Sequence, residues 1–244
     1  MLIAIISDIH SNIEALDAVL AACNAAQISE IVCLGDIVGY GASPNECVKR
    51  IRETCLLTLM GNHDAAAINL LITENFNANA KIAIDWTTGQ LTPAMHSYLR
   101  SLPFKKICHD TTLVHASPFE PHLWHYITGT ENAGIQFKNF TTTFCFIGHT
   151  HIPGIIAKIP SQRVHIITND TLMWSTMPNA RFLINVGSVG QPRDHDSRAC
   201  FGVLDTDKQM FELHRVPYDI VKAQTKMRKA HFPDALIQRL SKGV

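Results

Sequence analysis

Leu34-Gly35-Asp36-Ile37-Val38-Gly39 closes the apolar run Ile31 to Leu34 with a glycine, one carboxylate and a second glycine. A short β-type run that stops on Gly-Asp reads as a buried strand handing over a single acid at its carboxyl end. The same arrangement occurs on either side. Leu2 to Ile6 is continuously apolar, as expected for a parallel strand covered on both faces, and ends on Ser7-Asp8-Ile9-His10. Leu56 to Met60 reads as a third strand, ending on Gly61-Asn62-His63-Asp64. Between the first two, Ile13, Leu16, Val19, Leu20 and Cys23 recur at helical spacing behind a cap at Ser11 or Asn12. Ser43-Pro44-Asn45-Glu46 opens a second helix with a cap, a proline at the first position and an early acid. Alternating strands and helices give an α/β sheet, whose ligands bind beyond the carboxyl ends of the strands. An aspartate alone can cap a helix and a histidine alone can be a hydrogen-bonded core residue. Three polar clusters on one sheet edge point to chemistry instead.

Ala65 to about Leu102 reads as helical and amphipathic, a segment placed beside that edge or as a partial cap over it, with Phe76, Trp86 and Met95 as core. Strands follow. Phe104 to Cys108 and Thr111 to Val114 suggest a hairpin about His109-Asp110, and the second ends at His115. Thr143 to Ile147 ends at Gly148-His149-Thr150-His151. Ile155 to Ile159 and Val164 to Thr168 flank Pro160-Ser161-Gln162, and Arg181 to Val186 runs into a glycine-rich loop ending at Arg193. Cys200 to Leu204 and Met210 to Val216 form another hairpin. Helices from Pro217 and after Pro233 occupy about 217–242, and the expected organisation is one domain over 1–244.

Composition narrows the function classes. The chain has 244 residues, 46% hydrophobic and 17% charged, enough for one sizeable core. Lysine plus arginine and aspartate plus glutamate are 21 each, so there is no strong nucleic-acid signal and no overall pull toward anionic membranes. No apolar run approaches a membrane span and the start lacks signal-peptide features, so a cytoplasmic protein is expected. Seven scattered cysteines without a Cys-X-X-Cys arrangement read as small buried residues in a reducing compartment.

Asp8, His10, Asp36, Asn62, His115, His149 and His151 together supply oxygen and nitrogen donors, without cysteine, for two divalent ions sharing a carboxylate. Such a mixed set suits manganese, iron, zinc, cobalt or nickel better than calcium or magnesium. Two ions about 3.5 to 4 Å apart activate a bridging water for displacement at phosphorus.

Asp8-Ile9-His10, Gly35-Asp36-Ile37-Val38-Gly39, Gly61-Asn62-His63-Asp64, His115 and Gly148-His149-Thr150-His151, in this order, resemble the five motifs of the calcineurin-like metallophosphoesterases. Gly39-Tyr40-Gly41 and Asn185 through Arg193 are similar to the small prokaryotic single-domain branch, which extends the resemblance over most of the chain. The resemblance implies a four-layer α/β/β/α sandwich, two mixed sheets flanked by helices with the metals at their carboxyl edge. It implies Asp8, His10, Asp36 and His151 on one metal, and Asp36, Asn62, His115 and His149 on the other, with manganese first among the metals. His63, positioned by Asp64, would contact phosphate or protonate the leaving group. The function it implies is hydrolysis of phosphomonoesters or phosphodiesters of small phosphorylated substrates by a metal-bridging hydroxide. The rivals are a metal-binding scaffold for a partner protein and a nuclease-type phosphodiesterase.

Several residues carry two readings. Arg193 either grips phosphate or pairs with Asp194 or Asp196. His122, Trp124 and His125 read as a packed surface loop before a pocket wall, and Asn12 as a helix cap before a substrate contact.

Overall fold

The computed structural model describes residues 1–71, 73, 74, 76–160, 164–167, 171–173 and 177–244. Its first strand, β1 (Leu2–Ile6), shows how alternation becomes layers. Successive side chains leave a strand on opposite faces. Ala4 and Ile6 share a buried cluster with Leu16 and Val19 of helix α1 (Ile13–Ala25) and Val48 and Ile51 of α2 (Pro44–Thr54). Ile3 and Ile5 face the other way and join Phe144, Phe146, Phe182 and Ile184 of a second sheet.

Strands β2 (Glu30–Cys33) and β3 (Leu57–Thr58) run parallel to β1. Helices α3 (Asn62–Ala67), α4 (Ala78–Gln90) and α5 (Pro93–Arg100) follow. The second half carries β4 (Lys105–Cys108), β5 (Thr111–Val114), α6 (Thr130–Gln136), β6 (Phe144–Ile147), β7 (Gly154–Lys158), β8 (His165–Ile167), β9 (Thr171–Met173) and β10 (Arg181–Asn185). It closes with β11 (Ala199–Asp205), β12 (Met210–Val216), α7 (Ile220–Lys229) and α8 (Asp234–Lys242). The described strands form two six-stranded mixed sheets, ordered β3-β2-β1-β11-β12-β9 and β4-β5-β6-β10-β7-β8. Phe137, Phe140 and Ala133, in and after α6, cover Val114, Cys145, Ile147 and Leu183 on the outer face of the second sheet. The layers are therefore helix, sheet, sheet, helix, as the motif resemblance implies. In the second sheet β5, β6 and β10 are mutually parallel, just as β1, β2 and β3 are in the first. No helix among the described residues is long and apolar enough to cross a membrane, and none of the seven cysteines forms a disulfide.

Several local expectations are corrected. The helical stretch from Ala65 to Leu102 is three helices, and the first begins early, at Asn62, so His63 and Asp64 lie in its first turn. Ser43 makes no side-chain cap; its hydroxyl instead receives Lys226 Nζ at 3.3 Å. The helix expected from Pro217 starts at Ile220, because β12 runs to Val216 and Asp219 caps the Lys222 N–H at 2.9 Å. Asn12 does cap α1, accepting from the Ala15 N–H at 3.1 Å. His109 and Asp110 both take left-handed φ, 48° and 54°, which is what a two-residue hairpin loop requires. Helix α6 and the edge strand β9 were not foreseen. Ser161, Gln162 and Thr168, expected in a turn and at a strand end, lie outside the described residues.

Candidate metal centre

Strand direction positions the site. The carboxyl ends of β1, β2 and β3 deliver Asp8 and His10, Asp36, and Asn62; those of β5 and β6 deliver His115, and His149 and His151. Backbone bonds sew the two edges together, Val189 N–H to the Ser7 carbonyl (3.0 Å) and Gly190 N–H to the Asp8 carbonyl (2.9 Å), while Gly148 N–H to the His115 carbonyl (2.8 Å) ties the ends of β5 and β6 within the second sheet. Asp8, His10, Asp36, His149 and His151 all take left-handed φ, between 49° and 68°. Non-glycine residues seldom do so, and such strain gathers at functional sites. All seven donors are buried.

The donors fall into two triads, Asp8–His10–His151 and Asp36–His115–His149. His151 Nε2 stands 3.3 Å from Asp8 Oδ1, and His10 Nε2 is 3.0 Å from His151 Nε2. Asp36 Oδ2 lies between the triads, 3.7 Å from His10 Nε2 and 3.4 Å from His115 Nε2. His10 Nδ1 donates to the Val38 carbonyl (3.1 Å) and His151 Nδ1 to the Gln191 carbonyl (2.6 Å). Those bonds turn both Nε2 lone pairs toward the same point, the outer-sphere pattern of imidazole metal ligands. Asp8 Oδ1, Asn62 Oδ1, His115 Nε2 and His149 Nε2 are buried with no hydrogen-bond partner. Lone pairs converging on one another without donors are satisfied by cations, so the residues present fit divalent metal ions.

Electrostatics agree. Burial opposes charge on Asp8 and Asp36, yet the surrounding imidazoles, His151 and His115 foremost, hold both carboxyls well below the usual range. Burial also opposes charge on His115, but the carboxylates of Asp36, Asp8 and Asp64 outweigh it and lift His115 to about 9, so without a cation the ring takes up a proton, the positive charge that a bound metal ion would supply in its place. Burial lowers His149 to about 3 and His63 to about 4, leaving both rings neutral at pH 7.

His63 packs its ring 4.9 Å from His10 and 4.5 Å from Tyr40, while its backbone N–H binds Asp36 Oδ1 at 2.8 Å. The expected pairing of Asp64 with His63 is corrected. Asp64 Oδ1 accepts from the Ile37 and Val38 N–H groups (2.9 and 3.1 Å) and Oδ2 from Gly61 N–H (3.1 Å), while His63 Nδ1 is buried and unpartnered. Asp64 therefore ties the Asp36 loop to α3 and does not orient the imidazole. Arg193 is not paired with its neighbouring acids: Asp194 binds Arg215 and Asp196 binds Arg198. It donates to Gln191 Oε1 at 2.8 Å and lies over the Tyr40 ring.

A cavity of about 300 Å³ opens beside the triads, walled by Asn62, His63, His149, Phe76, Trp124 and Tyr126. The Tyr126 ring lies 4.0 Å from that of His149, and Phe76 lies 5.1 Å from His63. Phe76, read as core, thus also borders the site. Trp124 walls the cavity and leans on Phe104 at 5.8 Å, whereas His122 is exposed and His125 pairs with Glu120 at 3.1 Å. Tyr40, Gln191, Tyr126 and Arg239 were missed as site residues. Tyr40 lies within Gly39-Tyr40-Gly41 and Gln191 within Asn185 through Arg193, both local signals, whereas Arg239 arrives through the packing of α8.

Residues 1–209 match the calcineurin-like phosphoesterase superfamily domain. The chain is 37% identical, over 99% of its length and 98% of the relative's, to an uncharacterized protein of Methanocaldococcus jannaschii. The crystal structure of a metallophosphoesterase from Sphaerobacter thermophilus superposes with a TM-score of 0.87 at 42% identity, covering 100% of this chain and 99% of that one. A hypothetical protein from Pyrococcus horikoshii shares the fold, with a TM-score of 0.79 at 18% identity over 100% and 98% of the two chains.

Proposed function

This chain belongs to the calcineurin-like phosphoesterase superfamily, and from that premise we propose that it hydrolyses esters of small phosphorylated substrates with two divalent cations. The observation that carries the reading is Asp36 Oδ2 standing between two buried, donor-starved triads. In this reading Asp8, His10, Asp36 and His151 hold one cation, and Asp36, Asn62, His115 and His149 the other. When bound, such a pair lowers the pKa of water and polarises a phosphoryl oxygen. Manganese is the first metal to test, with iron, zinc, nickel and cobalt suiting the same donors.

The chain's own residues supply the rest. His63 borders the cavity with an unpartnered Nδ1. It is placed to hydrogen-bond a phosphoryl oxygen and to hand a proton to the departing alkoxide once a phosphate anion raises its basicity. Arg193 adds a cationic fork on the His10–His151 side, since its charge acts on both His151 and His63. Phe76, Trp124 and Tyr126 narrow the approach, which favours a small substrate over a polymer.

Protein loaded with manganese or nickel is expected to hydrolyse p-nitrophenyl phosphate, its bis-ester, or both. Turnover of neither would overturn the proposal. Asp36→Ala should remove bound metal, measured by elemental analysis, and activity together.

A further inference from the structure

Two arginines converge on one tyrosine at the rim of the centre. Arg193 comes from the glycine-rich loop after β10 and Arg239 from α8, and their guanidinium carbons lie 5.6 and 5.9 Å from the centre of the Tyr40 ring. Both donate to the same neutral acceptor, Gln191 Oε1, at 2.8 and 3.2 Å. Arg239 Nε also donates to a carboxylate oxygen of Val244, the last residue of the chain, at 2.7 Å, while Arg193 Nε is buried without a partner. The acids nearest Arg193 in sequence, Asp194 and Asp196, are taken by Arg215 and Arg198. Two guanidiniums sharing one amide oxygen repel each other; the Val244 carboxylate offsets the charge of Arg239, and the neutral amide oxygen does not compensate that of Arg193. Leu236, Ile237 and Leu240 dock α8 through apolar contact with Ala223 and Met227 of α7. The cations sit one ring from the metal ligands, because Tyr40 contacts His10 at 4.8 Å and His63 at 4.5 Å.

We propose that Arg193, Arg239 and Tyr40 form a subsite for a second phosphoryl group on the same substrate, beside the one held at the metal centre. The proposal rests on the reading that the centre takes a phosphoryl group. Planar guanidinium forks recognise phosphoryl oxygens in pairs, and two forks from different elements set a fixed spacing from the first phosphate. The substrate class that fits is an ester carrying two adjacent phosphoryl groups, such as a nucleoside diphosphate or a diester joined through a phosphoanhydride.

The test compares two non-hydrolysable probes, methylenediphosphonate and methylphosphonate, binding by calorimetry to metal-loaded protein freed of excess metal. The wild-type chain is expected to favour the diphosphonate by about tenfold or more, as two charge-assisted forks require. In Arg239→Gln that preference should fall severalfold, and Arg239→Lys, which keeps the charge and stem but not the fork, should retain only part of it. Equal binding of the two probes overturns the proposal, as does a preference that survives Arg239→Gln, which would place the second phosphonate on the metals alone. Equal loss in the lysine and glutamine variants also overturns it, since that marks a packing role. Turnover of p-nitrophenyl phosphate and of its bis-ester on the same preparations separates the two readings. Preference without turnover removes the hydrolase and leaves the subsite; turnover without preference does the reverse.

Discussion

At the scale of single residues, the site is defined by side chains held where their backbone is least comfortable. Asp8, His10, Asp36, His149 and His151 each sit in the left-handed region, at a cost of about 1–3 kcal/mol apiece. Strand alternation alone would send these side chains into the layers. The left-handed turns just past the strand ends redirect them toward one point. Close backbone approach is part of the same device. A Cβ on Gly39 would come within 2.6 Å of His63 Nδ1, and one on Gly61 would land on the Asp36 carboxylate. Gly61→Ala is therefore expected to displace Asp36 and lower metal content per chain by elemental analysis, although residue 61 is no ligand. His63→Ala should behave in the opposite way, keeping both metals while kcat falls about 10²–10⁴-fold. Wild-type turnover in that variant would remove His63 from the reaction.

Among elements, the most informative connection is that between the Gly35–Gly39 loop and α3. Asp64 receives three backbone N–H groups from Ile37, Val38 and Gly61. Removing it leaves three donors buried without partners, each worth about 1–3 kcal/mol. Asp64→Ala should accordingly lose at least about 3 kcal/mol in denaturant unfolding, and should lose metal with it; a variant damaged only in turnover would restore the expected His63–Asp64 pairing. The loop after β10 offers a gentler test. Asp196 is held at about 2, first by its hydrogen bond from Arg198. A carboxyl depressed below its ordinary value near ~4 contributes stability above that pH and loses it as pH falls through about 2. Asp196→Asn should cost no more than about 1 kcal/mol at pH 7, because the pair is solvated, and nothing below pH 2; unfolding curves at both pH values check this. The sequence made the strand ends and their ligands legible because apolar runs ending in Gly-Asp or Gly-His carry local signals. It concealed what depends on contacts distant in sequence: the three backbone bonds of Asp64, the arrival of Arg239 beside Gln191, and the double duty of Phe76. Helix α6 was hidden by its shortness, and β9 by its three residues at a sheet edge, where among the described residues it pairs with β12 alone.

For the molecule as a whole, the centre is also the seam between the sheets. Asp8, His10, Asp36 and Asn62 follow strands of one sheet, while His115, His149 and His151 follow strands of the other. The two sheets otherwise meet through the apolar layer of Ile3, Ile5, Phe144, Phe146 and Phe182, and through a few loop bonds such as His149 N–H to Asp8 Oδ2 at 3.0 Å. Cations drawing ligands from both sides bind the native arrangement and not the separated strands, so they stabilise the fold by mass action. At one hundred times the dissociation constant that amounts to about 2.7 kcal/mol per site. A chain of this length gains roughly 2–4 °C in Tm for each kcal/mol. Filling one site should thus raise Tm by about 5–10 °C over chelator-treated protein, and filling the second should raise it further. Asp36→Asn, which weakens the donor standing between both triads, should abolish most of the rise while leaving the chelated Tm close to wild type. If metal leaves the wild-type Tm unchanged in scanning calorimetry, the ligands are not drawn from both sheets onto shared ions, and the seam is held by its apolar layer alone.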